Sequence, residues 1–191
     1  MIRNKKDLKY YLECDKTALK IPKKRKHPRP FADVIWKYEI TLRKLEYYKN
    51  RNNKIMYYIY LIKHTIQCNK TTILIPPNVF GPGLSIAHYG SVIVNGNSIV
   101  GKNCRIHECV PIGTTNGRKE APIIGDNCFI GSGAKIIGDI KIGDNVAIGA
   151  GAVVVKNIED NVTVGGVPAK IISKNDSSSN IVKATDAVKM E

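Results

Sequence analysis

The sequence predicts a mainly β chain: a parallel β-helix built as a triangular prism, preceded by a basic α-helical segment. Three observations carry the prediction. Aliphatic residues fall six apart without a slip at Ile124, Ile130, Ile136, Ile142, Ile148 and Val154. Four of them are followed directly by glycine (Gly125, Gly131, Gly143, Gly149), and four residues after the same four stand Cys128, Ala134, Val146 and Ala152. Charge is segregated: residues 1–70 hold 19 Lys+Arg against 6 Asp+Glu, whereas residues 71–191 hold 11 against 10.

A period of six fits neither 3.6 nor a heptad, so it excludes a helix and matches the hexapeptide repeat of a β-solenoid. Each unit is one short strand plus a corner, and three units close one coil. The aliphatic and the small residue point inward, where corners leave little room. Glycine is expected to relieve strain at the corner, because it accepts positive φ without penalty.

At 191 residues the chain holds one core domain plus appendages. No apolar run reaches membrane-spanning length, and Met1 to Lys26 is too charged for a signal peptide, which places the protein in the cytoplasm. Five cysteines, an odd number without a Cys-x-x-Cys pair, agree. Cys104 and Cys128 fall on small inward grid positions, so packing explains them.

Residues 1–70 form the basic N-terminal segment. Its first thirty residues, with Lys23-Lys24-Arg25-Lys26 between prolines, read as a solvated, partly extended lead-in. A helix is predicted over Phe31–Lys49, with Ile35, Tyr38, Leu42 and Leu45 on one stripe, and a second over Lys54–Cys68, with Ile55, Tyr58, Ile59, Ile62 and Ile66. The tyrosines crowding this hairpin pack helix on helix or against a neighbouring subunit. The alternative is contact with an anionic membrane at its inner face.

From Thr71 the chain turns rich in Ile, Pro and Gly, fitting an irregular first coil of a domain spanning 71–173. Between Ile112 and Ile124 lie twelve residues where six suffice, so 114–121 must bulge out as a loop. Loops on a rigid scaffold concentrate sites. Residues 174–191 read as a disordered or weakly helical tail.

IGSGAKIIGDIKIGDNVAIGAGAVV, the closing GVPAK and His88 in GPGLSIAHYGSVIVNG together resemble the hexapeptide-repeat acyltransferases, and among them the serine acetyltransferase-like O-acetyltransferases. The resemblance covers about Thr71 to Ser173. It implies a left-handed β-helix and homotrimers, which can pair into hexamers through N-terminal helices. It also implies acetyl-CoA as co-substrate, held in a groove between neighbouring prisms.

Acetyl transfer to a hydroxyl needs a base, a donor for the developing oxyanion and a dry groove. Of four histidines, His27 and His64 read as solvent or packing residues, and His107 should point outward near a corner. His88 stands in the family-like setting and is the candidate general base. Against this, the six-residue grid extended back from Val100 lands on Val94 and then His88, which would make it a core histidine. The resemblance implies coenzyme A contacts at Gly113, Gly131, Ser132, Gly149 and Ala150, with Lys156 and Lys170 for its phosphates. No metal is expected, since no His or Cys pair has ligand spacing.

Three positions depart from serine acetyltransferases. Ala87 stands where they carry an aspartate before the histidine, Ala121 where they carry a second histidine before proline, and Ile73 where the base's partner aspartate belongs. Glu108 or Asn95 is left to orient His88. Lacking charged anchors for an amino acid, the pocket is expected to take a carbohydrate hydroxyl, as on a surface polysaccharide precursor. Serine O-acetylation and a catalytically silent scaffold prism are the alternatives. Nucleic acid is not the expected partner, since no nucleic-acid fold accompanies the basic segment.

Overall fold

The computed structural model describes residues 1–115 and 118–190. Three helices lead: α1 (Lys5–Ala18), α2 (Val34–Asn50) and α3 (Lys54–Thr71). Short strands follow: β1 (Ile73–Leu74), β2 (Ser85–Ile86), β3 (Val92–Val94), β4 (Ile99–Val100), β5 (Arg105–Ile106), β6 (Val110–Gly113) and β7 (Ile123–Ile124). After these come β8 (Phe129–Ile130), β9 (Lys135–Ile137), β10 (Lys141–Ile142), β11 (Ala147–Ile148), β12 (Val153–Val154), β13 (Thr163–Gly165) and β14 (Lys170–Ser173), and then a one-turn helix α4 (Ala184–Ala187).

The strands stack into three parallel sheets. The first face is β1-β3-β6-β9-β12, the second β4-β7-β10, and the third β2-β5-β8-β11-β13, with β14 added antiparallel. The chain visits first, second and third faces in turn, about five times. The six grid residues from Ile124 to Val154 are all buried, as are Cys104, Cys128, Ala134, Val146 and Ala152.

The glycines serve a different purpose from the one expected. None of Gly125, Gly131, Gly143 and Gly149 has positive φ. They are needed because coils touch: a Cβ on Gly125 would lie 2.7 Å from the Gly143 carbonyl group, and one on Gly131 would lie 2.8 Å from the Ala150 nitrogen. Left-handed backbone falls instead on Asn103, Asn127, Asn145 and Asn161, stacked where the second face turns into the third. Short polar side chains tolerate that region. Their amides bond in a ladder, 103 to 127 at 2.8 Å, 127 to 145 at 3.0 Å and 145 to 161 at 2.9 Å.

The N-terminal segment is a cap rather than a lead-in. Residues 5–18 are helical, and Ile2, Cys14, Asp15 and Ala18 are buried. Arg43, fully buried, donates to Asp15 and Glu46 and to the carbonyls of Phe80 (2.9 Å) and Gly81 (2.7 Å). Asp15 accepts from the Gly83 and Leu84 amides, Glu46 from Asn78, Glu39 from Ile86, and the Tyr38 hydroxyl from Ile75. The helices thus supply partners for backbone groups that the first coil, having no coil beneath it, cannot pair. The α2 stripe is legible in the sequence: Tyr38, Leu42 and Leu45 are buried. The α3 stripe faces outward, and His64, Cys68 and Thr71 pack inward instead.

The tail is docked rather than loose, although α4 is its only helix. Ser177 donates its amide to Asn145 O (3.1 Å) and its hydroxyl to Asn127 O, and Thr185 pairs with Asn103. Ala184 is buried against Cys14 and Ala18, so the tail ties α1 to the prism. Among the described residues no helix is long and apolar enough to cross a membrane.

Replacing Arg43 by Met strands two buried carboxylates, and a loss of about 3–5 kcal/mol is expected in denaturant unfolding. Burial, with Asp15 adding to it, pushes the Glu39 carboxyl well above the ordinary carboxylate range. A raised folded pKa gives stability that is full below the unfolded pKa and is lost as pH rises through the folded value. Glu39→Gln removes that loss, so its thermal stability relative to wild type should climb with rising pH.

Candidate functional site

One edge of the prism, where the third face turns into the first, collects most of the chemistry-bearing residues. The position two after each inward aliphatic aligns there: His88 after Ile86, Glu108 after Ile106, Ser132 after Ile130 and Ala150 after Ile148. His88 is exposed, not core. The grid fails at this corner because Ile86 to Val94 takes eight residues where Ile106 to Ile112 takes six. The two extra residues shift the count, so that six back from Val94 lands on an outward corner position instead of the inward Ile86. Gly90, at φ +148°, lets the enlarged corner lie on the next coil, since a Cβ there would sit 2.9 Å from Glu108 Cβ.

The His88 ring stands edge-on to His107, centroids 5.9 Å apart, and His107 stands edge-on to Phe129 at 5.2 Å. Ser132 Oγ donates to Glu108 Oε1 at 2.6 Å. Glu108 Oε2 lies 3.8 Å from His107 Nδ1, is shielded from solvent and accepts no hydrogen bond among the described residues. The Ser132 hydroxyl, then the backbone, holds the Glu108 carboxyl below its ordinary range, and the two imidazoles add to this. Burial, then Arg105, lowers the His107 pKa, while Glu108 works the other way. His88, His107 and Glu108 offer donor atoms within 4.8 Å of one another, the types a cation would use. Drawn from two coils, they show no ligand spacing in the chain.

Glu108, not Asn95, is the carboxylate or amide beside His88, since the Asn95 side chain caps the Asn97 amide elsewhere. Sequence reasoning missed the Ser132–Glu108 bond and the pairing of His107 with His88. Counting two positions on from each inward aliphatic aligns Glu108 with Ser132 and with His88, whereas His107, one position on, shares no count with His88.

The remaining candidates divide between edges. Gly131, Ser132, Gly149 and Ala150 share the His88 edge. Gly113, ending β6, and Lys156, following β12, lie where the first face turns into the second. The protruding loop leaves from that same edge: the Lys119 carbonyl accepts from Asn97, and Asn116 and Gly117 of the expected 114–121 lie outside the described residues. Lys156, Lys170 and Lys141 line one open hollow of about 680 Å³. Ile73 is buried in β1 and Ala121 in the loop's return, so neither faces His88. His27 is exposed, and burial pushes His64 down to about 4, which keeps it neutral.

Because Glu108 raises the His107 pKa, Glu108→Gln should lower it further, read by NMR titration of the imidazole. Ser132→Ala should raise the Glu108 pKa in the same spectra.

Residues 121–156 match the bacterial transferase hexapeptide family (six repeats). The serine acetyltransferase of Buchnera aphidicola subsp. Schizaphis graminum is 40% identical over 102 residues, 52% of this chain and 39% of that protein. The Mycobacterium tuberculosis serine acetyltransferase is 38% identical over 105 residues, 54% of this chain and 46% of that one. The chain therefore spans less than half the length of these relatives. Among solved structures, serine acetyltransferase in complex with coenzyme A from Brucella abortus strain S19 superposes with a TM-score of 0.67 at 28% identity, over 88% of this chain and 67% of that one. Repeat, fold and relatives agree: the chain is similar to the bacterial transferase hexapeptide family over 121–156, and to serine acetyltransferases in sequence over about half its length and in fold over most of it.

Proposed function

We propose that the chain is an acetyl-CoA-dependent O-acetyltransferase with His88 as general base. The observation that carries this is an exposed imidazole on the edge of a hexapeptide prism, with the Glu108 carboxylate, held by Ser132, within 4.8 Å of it. His88 takes the proton of the acceptor hydroxyl as its oxygen attacks the thioester carbonyl, and returns it to the departing thiolate. Glu108, fixed by Ser132, orients the ring and stabilises the imidazolium formed between the two transfers. Along the strip of edge from Gly131 to Gly149 only the small side chains of Ser132 and Ala150 stand outward, and a pantetheine arm can lie there. Lys156 and Lys170 suit phosphates.

One prism does not bring all these groups together. His88 and the glycine strip stand on one edge, Gly113, the loop and Lys156 on another. A second copy laid alongside joins the two edges, and this supports a homotrimer.

The acceptor has two readings. The curated relatives are serine acetyltransferases, which favours L-serine over the sugar expected from sequence. The sugar keeps one observation in its favour: Ala87, Ala121 and Ile73 supply no charge for an amino acid's ammonium and carboxylate, and two of them are buried.

Release of coenzyme A in the presence of L-serine tests the first reading directly. His88→Ala should lower kcat about a hundred- to ten-thousandfold while coenzyme A binding persists. Turnover on hydroxyl-bearing glycans with none on L-serine would establish the second. Transfer that is indifferent to His88→Ala would sink both.

A further inference from the structure

The α3 helix is mounted with its apolar stripe on the wrong side for a free monomer. Ile55, Tyr58, Ile59, Ile62 and Ile66 are 75%, 60%, 40%, 61% and 49% exposed. The opposite side, with His64, Cys68 and Thr71, packs inward. Five large apolar side chains in one continuous row are more than isolated surface hydrophobics, and such rows mark a covered surface.

Charge selects what covers it. From Lys54 to Thr71 there is no acidic residue, and the cations are Lys54, Lys63 and Lys70. At 3.6 residues per turn Lys54 falls on one flank of the stripe, and Lys63 and Lys70 on the other. Beside the helix's first turn, Lys49, Lys54, Tyr48, Tyr57 and Tyr58 line a hollow of about 350 Å³. Apolar residues centred between lysines, with tyrosines at the margin, form the pattern of a helix lying in a bilayer interface. A second α3 set against the first about a two-fold axis would instead oppose lysine to lysine with no carboxylate to relieve them.

We infer that the exposed face of α3 is a docking surface for an anionic phospholipid membrane. The isoleucines enter the acyl boundary, and Lys54, Lys63 and Lys70 meet the phosphates. The surface is separate from the His88 edge and does not depend on what that edge catalyses.

Co-sedimentation with vesicles tests the inference, comparing mixed phosphatidylcholine and phosphatidylglycerol with phosphatidylcholine alone. The full chain should bind the anionic vesicles, and less so as salt rises. Ile59→Asp with Ile62→Asp should weaken binding about tenfold or more. Lys54→Gln, Lys63→Gln and Lys70→Gln should each weaken it about fivefold. These side chains are exposed, so unchanged thermal unfolding and unchanged acetyl transfer to a soluble acceptor confirm that each variant is folded. Equal binding by the aspartate variant, or none by wild type, would overturn the inference. So would light scattering in which that variant breaks an oligomer while vesicles bind neither protein, since the face would then belong to a second copy.

Discussion

The guanidinium of Arg43 holds together the one place where a solenoid cannot stabilise itself. Every inner coil of a β-helix bonds to the coil below and the coil above, but the first has no coil below. Its backbone groups at Asn78, Phe80, Gly81, Gly83, Leu84 and Ile86 would be buried unpaired if only apolar residues covered them. Arg43 takes two carbonyls, and Asp15, Glu46 and Glu39 take the amides. Burial works against the charged guanidinium, but Asp15 and Glu46 outweigh it and hold its pKa above the ordinary value. A buried ion pair is seldom worth more than the hydrophobic contacts it displaces. Here its value lies elsewhere: an apolar cap of the same volume would leave the coil's donors and acceptors without partners, each costing about 1–3 kcal/mol.

This explains what could be read from the chain and what could not. The prism is periodic because every coil solves the same packing problem, so Ile124 to Val154 announce it. The cap solves a problem that occurs once, and its charged residues look like the solvated ones around them. Asp15, Glu39, Arg43 and Glu46 are indistinguishable in type from the charged residues on the surface, and only the backbone they meet tells them apart. The tail was opaque for the same reason. Its partners are the Asn103–Asn145 carbonyls and amides, and nothing in its own composition points to them.

The site was half legible. A motif drew attention to His88, but the six-residue count put it in the core, because a single corner holds two extra residues. Glu108 and Ser132 occupy equivalent positions on the next two coils, 20 and 44 residues along in sequence yet adjacent in space. Neighbours along a solenoid axis are separated by a whole coil of chain, so local spacing never brings them together. The same separation hid the donor set formed by His88, His107 and Glu108.

The three edges of the prism are consequently not equivalent. The edge between second and third faces is filled: the asparagine ladder runs along it, and the tail covers that ladder at Ser177 and Thr185. The ladder's amides are spent on one another and on the tail, and what stays exposed there is Asp144, Asp160 and Asn161. The other two edges remain open, one carrying His88 and the glycine strip, the other Gly113, the loop and Lys156. Under the proposal made above, a second copy would join one open edge to the other, head to tail. Repeating a head-to-tail contact about an axis parallel to the prism closes a ring. In the homotrimer proposed above, each His88 edge would meet a neighbour's loop edge, while the tail-covered edge stays outside the contact.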